Sequence, residues 1–412
     1  MKIIRGYKVE LKINQKQRTL LRKHAGVARF AFNWGLARRI EEYKQTVAVV
    51  GSRRDPTTAT GRYSNAIEQH KQLNALKKTE FPWMYEVSKC APQEALRNLE
   101  KAFANFFRRY KNGDSKVGFP KFKSKKRGRG SFRLTGAICV ASNKIRLPKI
   151  GWLRLKERDY IPTFGVKILS VTLSERADRW FLSVQVEKEI PVPTAAGEPI
   201  GVDLGVAKMA TCSDGRVFLN HQALMRSEQK LKRLQRRISR QKKESRRREK
   251  TRKKISTLHF NIANQRSDAI HKATTALVAK TKPPVLRAKM IVIEDLNLTG
   301  LLKNRRMSKA IANVGMYEFR RQLEYKSIWY GSKLLVADRF YPSSKRCSHC
   351  GTIKEQLPLE ERVFLCEKCS LLIDRDLNAA RNLKYLARSL QERKNACGEN
   401  VRLPMKIGSC SL

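Results

Sequence analysis

The sequence predicts a multidomain α+β protein: a β-barrel with an inserted helical domain, followed by an α/β domain interrupted by a four-cysteine zinc knuckle. Three observations predict it. Strand-like segments flank a helical block between residues 15 and 125. After Ile200 the texture changes to α/β, with Asp203 and Glu294 on or at the ends of apolar strands. Two Cys-x2-Cys pairs fall inside that second half. The length of 412 residues corresponds to about two to four domains at ~100–200 residues each.

Residues 2–13 alternate and read as an opening strand. From about 15 to 45, Leu20, Leu21, Ala25, Ala28, Phe32, Leu36 and Ile40 recur at helical spacing. The stretch 49–62 reads as a loop. A further helix starts at Ala91-Pro92, where proline suits a first turn, with Leu96, Leu99, Ala102, Phe106 and Phe107 on one face. Residues 111–131 form a basic connector. FRLTGAICVA, KIRLPKIGWLRL, VKILSVTLSE and RWFLSVQVEK then read as strands of a small antiparallel barrel. The opening strand completes that barrel, which makes the helical block an insertion, and 191–197 is a linker.

Beyond it, one strand carries Asp203, a second ends near Cys212, and Asp214-Gly215 signals a hairpin. Residues 223–254 read as one long basic helix, with 16 Lys/Arg against 3 Asp/Glu from Arg226 to Lys254. A second helix over about 255–281 folds back on it. Met290–Ile293 is a buried strand ending on Glu294. A helix near 316–331, a strand at 334–338, the cysteine cluster and a helix from Asp376 to about Leu390 follow. Residues 391–412 read as a flexible tail.

Lys plus Arg exceed Asp plus Glu by 52, against a net charge of ~2–8 for an ordinary small domain. Such an excess implies a polyanionic partner, hence nucleic acid. No apolar run reaches the ~18 residues of a membrane span, and the first residues carry no hydrophobic leader, so a soluble cytoplasmic protein without a membrane partner is expected. Hydrophobic residues at 41% argue against wholesale disorder.

Nine cysteines fit poorly with a secreted disulfide framework. Cys347, Cys350, Cys366 and Cys369 have the spacing of a four-thiolate structural Zn2+ site. Asp203, Glu294 and Asp376 form the second constellation. Acids on interior strands are costly unless paired or metal-bound. Three of them at one sheet edge suit two Mg2+ ions that hydrolyse a phosphodiester. Asp374 reads as the cap of the last helix, and Asp295 as pointing to the opposite side of its strand.

These residues carry a resemblance. ARFAFNWGLARR (28–39), VGFPKFKSK (117–125), GVDLGV (201–206), IEDLNLTGLLKNRR (293–306), YPSSKRCSHCG (341–351) and DRDLNAARNL (374–383) resemble, in order, segments of the TnpB family. These are RNA-guided DNA endonucleases of insertion sequences, related to type V CRISPR effectors, and the match spans about residues 5–390. The resemblance implies a wedge-type barrel (1–14 and 126–197), a helical recognition insertion (15–125) and an RNase H-like RuvC nuclease domain (198–340 and 372–390) split by the zinc-binding domain (341–371). It also implies a structured guide RNA from the element end and double-stranded target DNA as partners. Lys89 and Gln93 fall where family members touch the target-adjacent motif. Lys303, Arg305 and Arg306 are candidate backbone contacts. The competing reading is a non-catalytic nucleic-acid-binding accessory or repressor of transposition; a strand-joining transposase finds no nucleophilic Tyr or Ser motif.

Overall fold

The structure, a computed structural model, describes residues 1–50, 64–114, 117–125, 130–279, 282–305, 307–358 and 360–397, with only the backbone course for 46–50 and 390–397. It comprises two compact units, Met1–Ile190 and Pro191–Leu412.

In the first unit, β1 (Lys2–Lys12) leads into α1 (Gln15–Val50), α2 (Ala66–Leu76) and α3 (Cys90–Lys111). Six strands follow: β2 (Ser131–Leu134), β3 (Cys139–Ala141), β4 (Lys144–Leu147), β5 (Gly151–Leu155), β6 (Val166–Arg176) and β7 (Arg179–Glu189). They form an antiparallel sheet in the order β2-β6-β7-β1-β5-β4-β3. The first strand thus lies at the centre, pairing with β7 from Lys2–Glu189 to Glu10–Phe181 and then with β5 at Leu11–Leu155. The three helices lie between β1 and β2 in the chain. Two of the four strand segments break in two. Gly136 at φ +92° separates β2 from β3, and Lys149 and Gly151, at φ +63° and +77°, turn β4 into β5.

The predicted α1 face, from Leu21 to Leu36, is buried. On α3 the core position is Phe103, with Ala102, Phe106 and Phe107 only half-buried. Gly35 lets α1 approach α3, because a Cβ there would meet Leu96 Cδ2 at 2.6 Å. Buried His24 fixes α1 to the turn before α3: its Nδ1 faces Leu20 O at 2.8 Å, and its Nε2 accepts the Ser88 N–H at 3.0 Å. Burial lowers its pKa, so the ring is neutral. The expected 49–62 loop lies outside the described residues for 51–63, and Val49 and Val50 belong to α1.

The second unit holds β8 (Ile200–Asp203), β9 (Lys208–Cys212), β10 (Val217–Leu219), α4 (Ala223–Ser239), α5 (Arg246–Leu277), β11 (Met290–Glu294), α6 (Leu298–Lys303), α7 (Ser308–Val314), α8 (Met316–Tyr330), β12 (Lys333–Ala337), β13 (Val363–Leu365), β14 (Leu372–Asp374) and α9 (Arg375–Cys397). Its main sheet has the order β10-β9-β8-β11-β12. The first three strands are antiparallel, while β8, β11 and β12 are parallel. One face packs Met290, Val292 and Leu335 against Leu383 and Ala387 of α9. The other packs Ile291 and Ile293 against Ile270 and Leu277 of α5 and Phe319 and Leu323 of α8.

Two helix expectations change, and two short helices are added. The long basic helix ends at Ser239 and a new one starts at Arg246, so the turn falls at 240–245 rather than at 254–255. Ser245 caps α5 by accepting the Arg248 N–H, and the Arg248 guanidinium ties back to the carbonyls of Ile238 and Gln241. The short helices α6 and α7 lie between Glu294 and residue 316, where the sequence predicted no element. Finally, α9 continues to Cys397, so the expected tail begins as helix; residues 398–412 lie outside the described residues.

Candidate active site and metal centre

The four cysteines come from two turns with the same geometry. In the first, Gly351 N–H bonds to Cys347 O and Cys347 N–H to Thr352 O. In the second, Ser370 N–H bonds to Cys366 O and Cys366 N–H to Leu371 O. Gly351 and Ser370, each four residues past its first cysteine, both have positive φ. The turns face each other so that all four sulfurs lie within 4.8 Å of one another. Cys347 is 3.6 Å from Cys369, and Cys350 is 3.5 Å from Cys366. Tetrahedral Zn–S bonds of about 2.3 Å place sulfurs about 3.8 Å apart, so the donor set fits zinc. Thr352 beside Cys350 brings that thiol down to about 6, favouring a thiolate there. Four thiolates this close repel one another, and a dication allows all of them to ionise.

The knuckle is clamped to α9. Asn378 Nδ2 donates to Arg346 O at 2.7 Å, and its Oδ1 accepts the Ser348 N–H at 2.9 Å. Asn382, one turn on, donates to Ser343 O and Arg346 O at 2.7 and 2.6 Å. Both asparagines are buried, so each of these bonds is made away from water and is costly to lose.

The three predicted acids come within charge–charge range of one another at the carboxyl edge of the parallel strands, where open α/β sheets place ligands; among the described residues only the four cysteines bring three or more metal-ligating atoms within 4.8 Å of one another. Asp203 ends β8 and Glu294 ends β11, each one step beyond the Val202–Ile293 pair. Asp376 arrives on the first turn of α9. Gly201 makes that approach possible, because a Cβ there would lie 2.0 Å from Ala380 O and 2.5 Å from Lys384 N. Burial, then the charges of Glu294 and Asp376, hold the Asp203 carboxyl well above the usual carboxylate range. Burial also raises Glu294, against the hydrogen bond it accepts from the Ser343 hydroxyl. A divalent cation relieves both penalties, which is the sense in which the carboxylates fit Mg2+.

Two groups frame the acids. Asp374 accepts the N–H groups of Asp376 and Leu377 at 3.0 Å and so caps α9. Lys208 on β9 bonds Asp374 at 2.7 Å and lies 3.7 Å from Asp376. Asp295 turns away, as strand alternation requires, and binds Arg320 and Arg339. Lys208, Ser343, Asn378 and Asn382 escaped the sequence reading. The asparagines carried a signal, polar residues at i and i+4 in an otherwise apolar helix face, whereas Ser343 reaches its partner across 49 residues.

Lys89 is exposed at the start of α3 and Gln93 half-buried one turn later. Lys303 and Arg305 are exposed, and Arg306 lies outside the described residues. On α4, Lys232, Arg233, Arg236, Arg237 and Arg240 form a basic ridge, the spacing that suits a phosphate backbone.

Comparison with known proteins narrows the class. Residues 181–305 match the model of a family described as "Probable transposase" and residues 317–383 a "Cas12f1-like, TNB domain". A third model, described as a "Helix-turn-helix domain", matches residues 1–47; here these fold as β1 and α1. The structure of a Cas12f1–sgRNA–target DNA complex superposes with a TM-score of 0.54 at 13% identity, covering 93% of this chain and 99% of that one. The fold is thus of the compact Cas12 class. The "Putative RNA-guided DNA endonuclease InsQ" of Escherichia coli is 34% identical over 98% of this chain and 96% of its own length. A "Putative RNA-guided DNA endonuclease" of Streptomyces pristinaespiralis is 36% identical over 82% and 80%. The chain belongs to the TnpB family. Among the described residues, no helix is long and apolar enough to cross a membrane.

Proposed function

We propose that this protein is a transposon-encoded, RNA-guided, Mg2+-dependent DNA endonuclease. It binds a structured RNA from its element's end and cuts double-stranded DNA beside a short target-adjacent motif. Base pairing reads the target, and the protein reads the motif and the backbone. The observation that carries the reading is the convergence of Asp203, Glu294 and Asp376 at one sheet edge, in a chain of net charge +52.

In this reading residues 198–340 and 372–390 are an RNase H-like RuvC domain, supported by the mixed five-stranded sheet. Residues 341–371 are the zinc-binding domain. Residues 1–14 and 126–197 form the wedge-type barrel around the recognition insertion 15–125, where Lys89 and Gln93 contact the motif. Asp203, Glu294 and Asp376 hold two Mg2+ ions. When bound, such ions activate water and stabilise the leaving oxygen of a phosphodiester. Ser343 orients Glu294, Asp374 fixes the helix that carries Asp376, and Lys208 balances the charge on that pair.

Two measurements test the proposal. RNA that co-purifies with the protein expressed from its native locus is expected to be one abundant species ending in a site-dependent segment; only heterogeneous cellular RNA overturns the guided reading. Asp203→Ala is expected to keep that RNA and lose Mg2+-dependent plasmid cleavage. Cutting at the wild-type rate removes Asp203 from the catalytic set, and target binding without any cutting by the wild type favours the accessory role.

A further inference from the structure

We propose that the cleft between the loop after β11 and one face of α8 binds a single unstacked base of single-stranded DNA, starting two residues along the chain from Glu294. The inference rests on the endonuclease reading and adds a subsite to it. The cleft has a volume of about 340 Å3 and is lined by residues 296–299 with Tyr317, Arg320, Arg321, Glu324 and Arg339, within the range of ligand-sized clefts. It begins two residues beyond Glu294, at most ~7 Å of chain at ~3.3 Å per residue.

Its chemistry selects a base over a phosphate. Tyr317, Arg320, Arg321 and Glu324 fall at i, i+3, i+4 and i+7, one face of α8. The guanidiniums are matched by carboxylates: Arg320 binds Asp295 and Glu324, Arg339 binds Asp295, and Arg321 binds Glu318 at 2.7 and 2.8 Å. Three cations against three anions give no net attraction for a phosphate. The same pairings hold each fork still. A guanidinium has five N–H donors, and the unused ones on Arg320 and Arg339 are presented in fixed directions. Base edges, guanine O6 and N7 above all, accept such donors. Tyr317 is 71% exposed, and exposed aromatic faces are platforms on which unstacked bases sit.

The test uses the full-length protein with its co-purified RNA and a short single-stranded DNA carrying 2-aminopurine as probe, in EDTA. Stacking quenches the probe, and quenching is expected equally in wild type and Asp203→Asn. Tyr317→Ala should abolish it and weaken binding about 5- to 150-fold, while Tyr317→Phe retains both. Arg339→Gln should weaken binding with an unchanged salt slope, whereas loss of a phosphate contact lowers that slope by about 1. Quenching that survives in a folded Tyr317→Ala overturns the subsite. So does a Tyr317→Ala that leaves the DNA unaffected but releases a bound protein. The two readings fail separately: quenching without Mg2+-dependent cutting in the wild type supports the subsite and removes the endonuclease, and normal cutting with no Tyr317-dependent quenching does the reverse.

Discussion

The cysteine cluster and the acid cluster both gather four or fewer like-charged groups in one place, yet they are built in opposite ways. The cysteines lie within residues 347–369, on two turns that position their own ligands through local backbone bonds. Four sulfurs close the coordination of one ion and leave no place for a substrate. The acids are drawn from residues 203–376 and are positioned by a sheet, a glycine contact and a helix cap. Their carboxylates are raised by burial and mutual charge, a cost that the fold carries until a cation and substrate arrive. In the proposed reading the first cluster contributes to folding, while the second depends on folding and serves chemistry. Asn378 and Asn382 join them, so the knuckle supports the helix that delivers Asp376.

That contrast can be broken from either side. Cys366→Ser should have the largest effect. Loss of a binding energy on the order of 10 kcal/mol should remove zinc, expose 341–371 to protease and reduce cleavage through α9. One zinc per chain by native mass spectrometry of the variant sinks the assignment. Glu294→Gln should lower cleavage by more than the ~10–100-fold typical of an outer partner, yet melt in EDTA no lower than wild type, because a repelling charge is gone. Ser343→Ala, which leaves Glu294 unsupported, should cost roughly 10- to 100-fold in kcat with zinc content unchanged; an undiminished rate removes Ser343 from the site.

Effects of pH should be smallest and should differ in sign between the units. Asp203 and Glu294 have folded pKa values above their ordinary 3.8 and 4.5. The folded state therefore holds protons that the unfolded state releases, and in EDTA these acids lower the stability of the second unit as pH rises from about that range. Asp203→Asn should flatten the trend, seen as a smaller drop in melting temperature between pH 5 and pH 8. His24 has a folded value below 6.5, so its contribution is present above that pH and lost as pH falls through the folded value. His24→Gln should make the first unit's melting less sensitive to acid.

The parts of the site that were legible in the sequence are those whose chemistry is rare at their position. An acid ending an apolar strand, as at Asp203 and Glu294, and paired cysteines at two-residue spacing stand out without any knowledge of partners. Lys208 and Ser343 do not, because lysine and serine are common and only their tertiary neighbours give them a role. The fold follows the same division. β1, β11 and α8 were readable because apolar periodicity marks them along their length. The turn at 240–245 was hidden, since basic composition runs through it unchanged and only the Ser245 cap and the Arg248 side chain end one helix and start the next. Tyr317 and its arginines carry no signal of their own in the sequence, and only the loop after Glu294 laid against them makes a cleft.

The Gly201 contact has a consequence in time. Asp203 leaves the ribosome long before Asp376, the two being separated by 376 − 203 = 173 positions, or roughly 9–35 s at ~5–20 residues per second. Until Ala380 and Lys384 arrive to cover the bare backbone at Gly201, β8 has no lid and Asp203 has no third acid beside it. In the proposed reading, a chain that stops short of α9 carries the basic helices but lacks the third acid of the cutting centre. In that reading the order of synthesis acts as a safety catch, released only when α9 is in place.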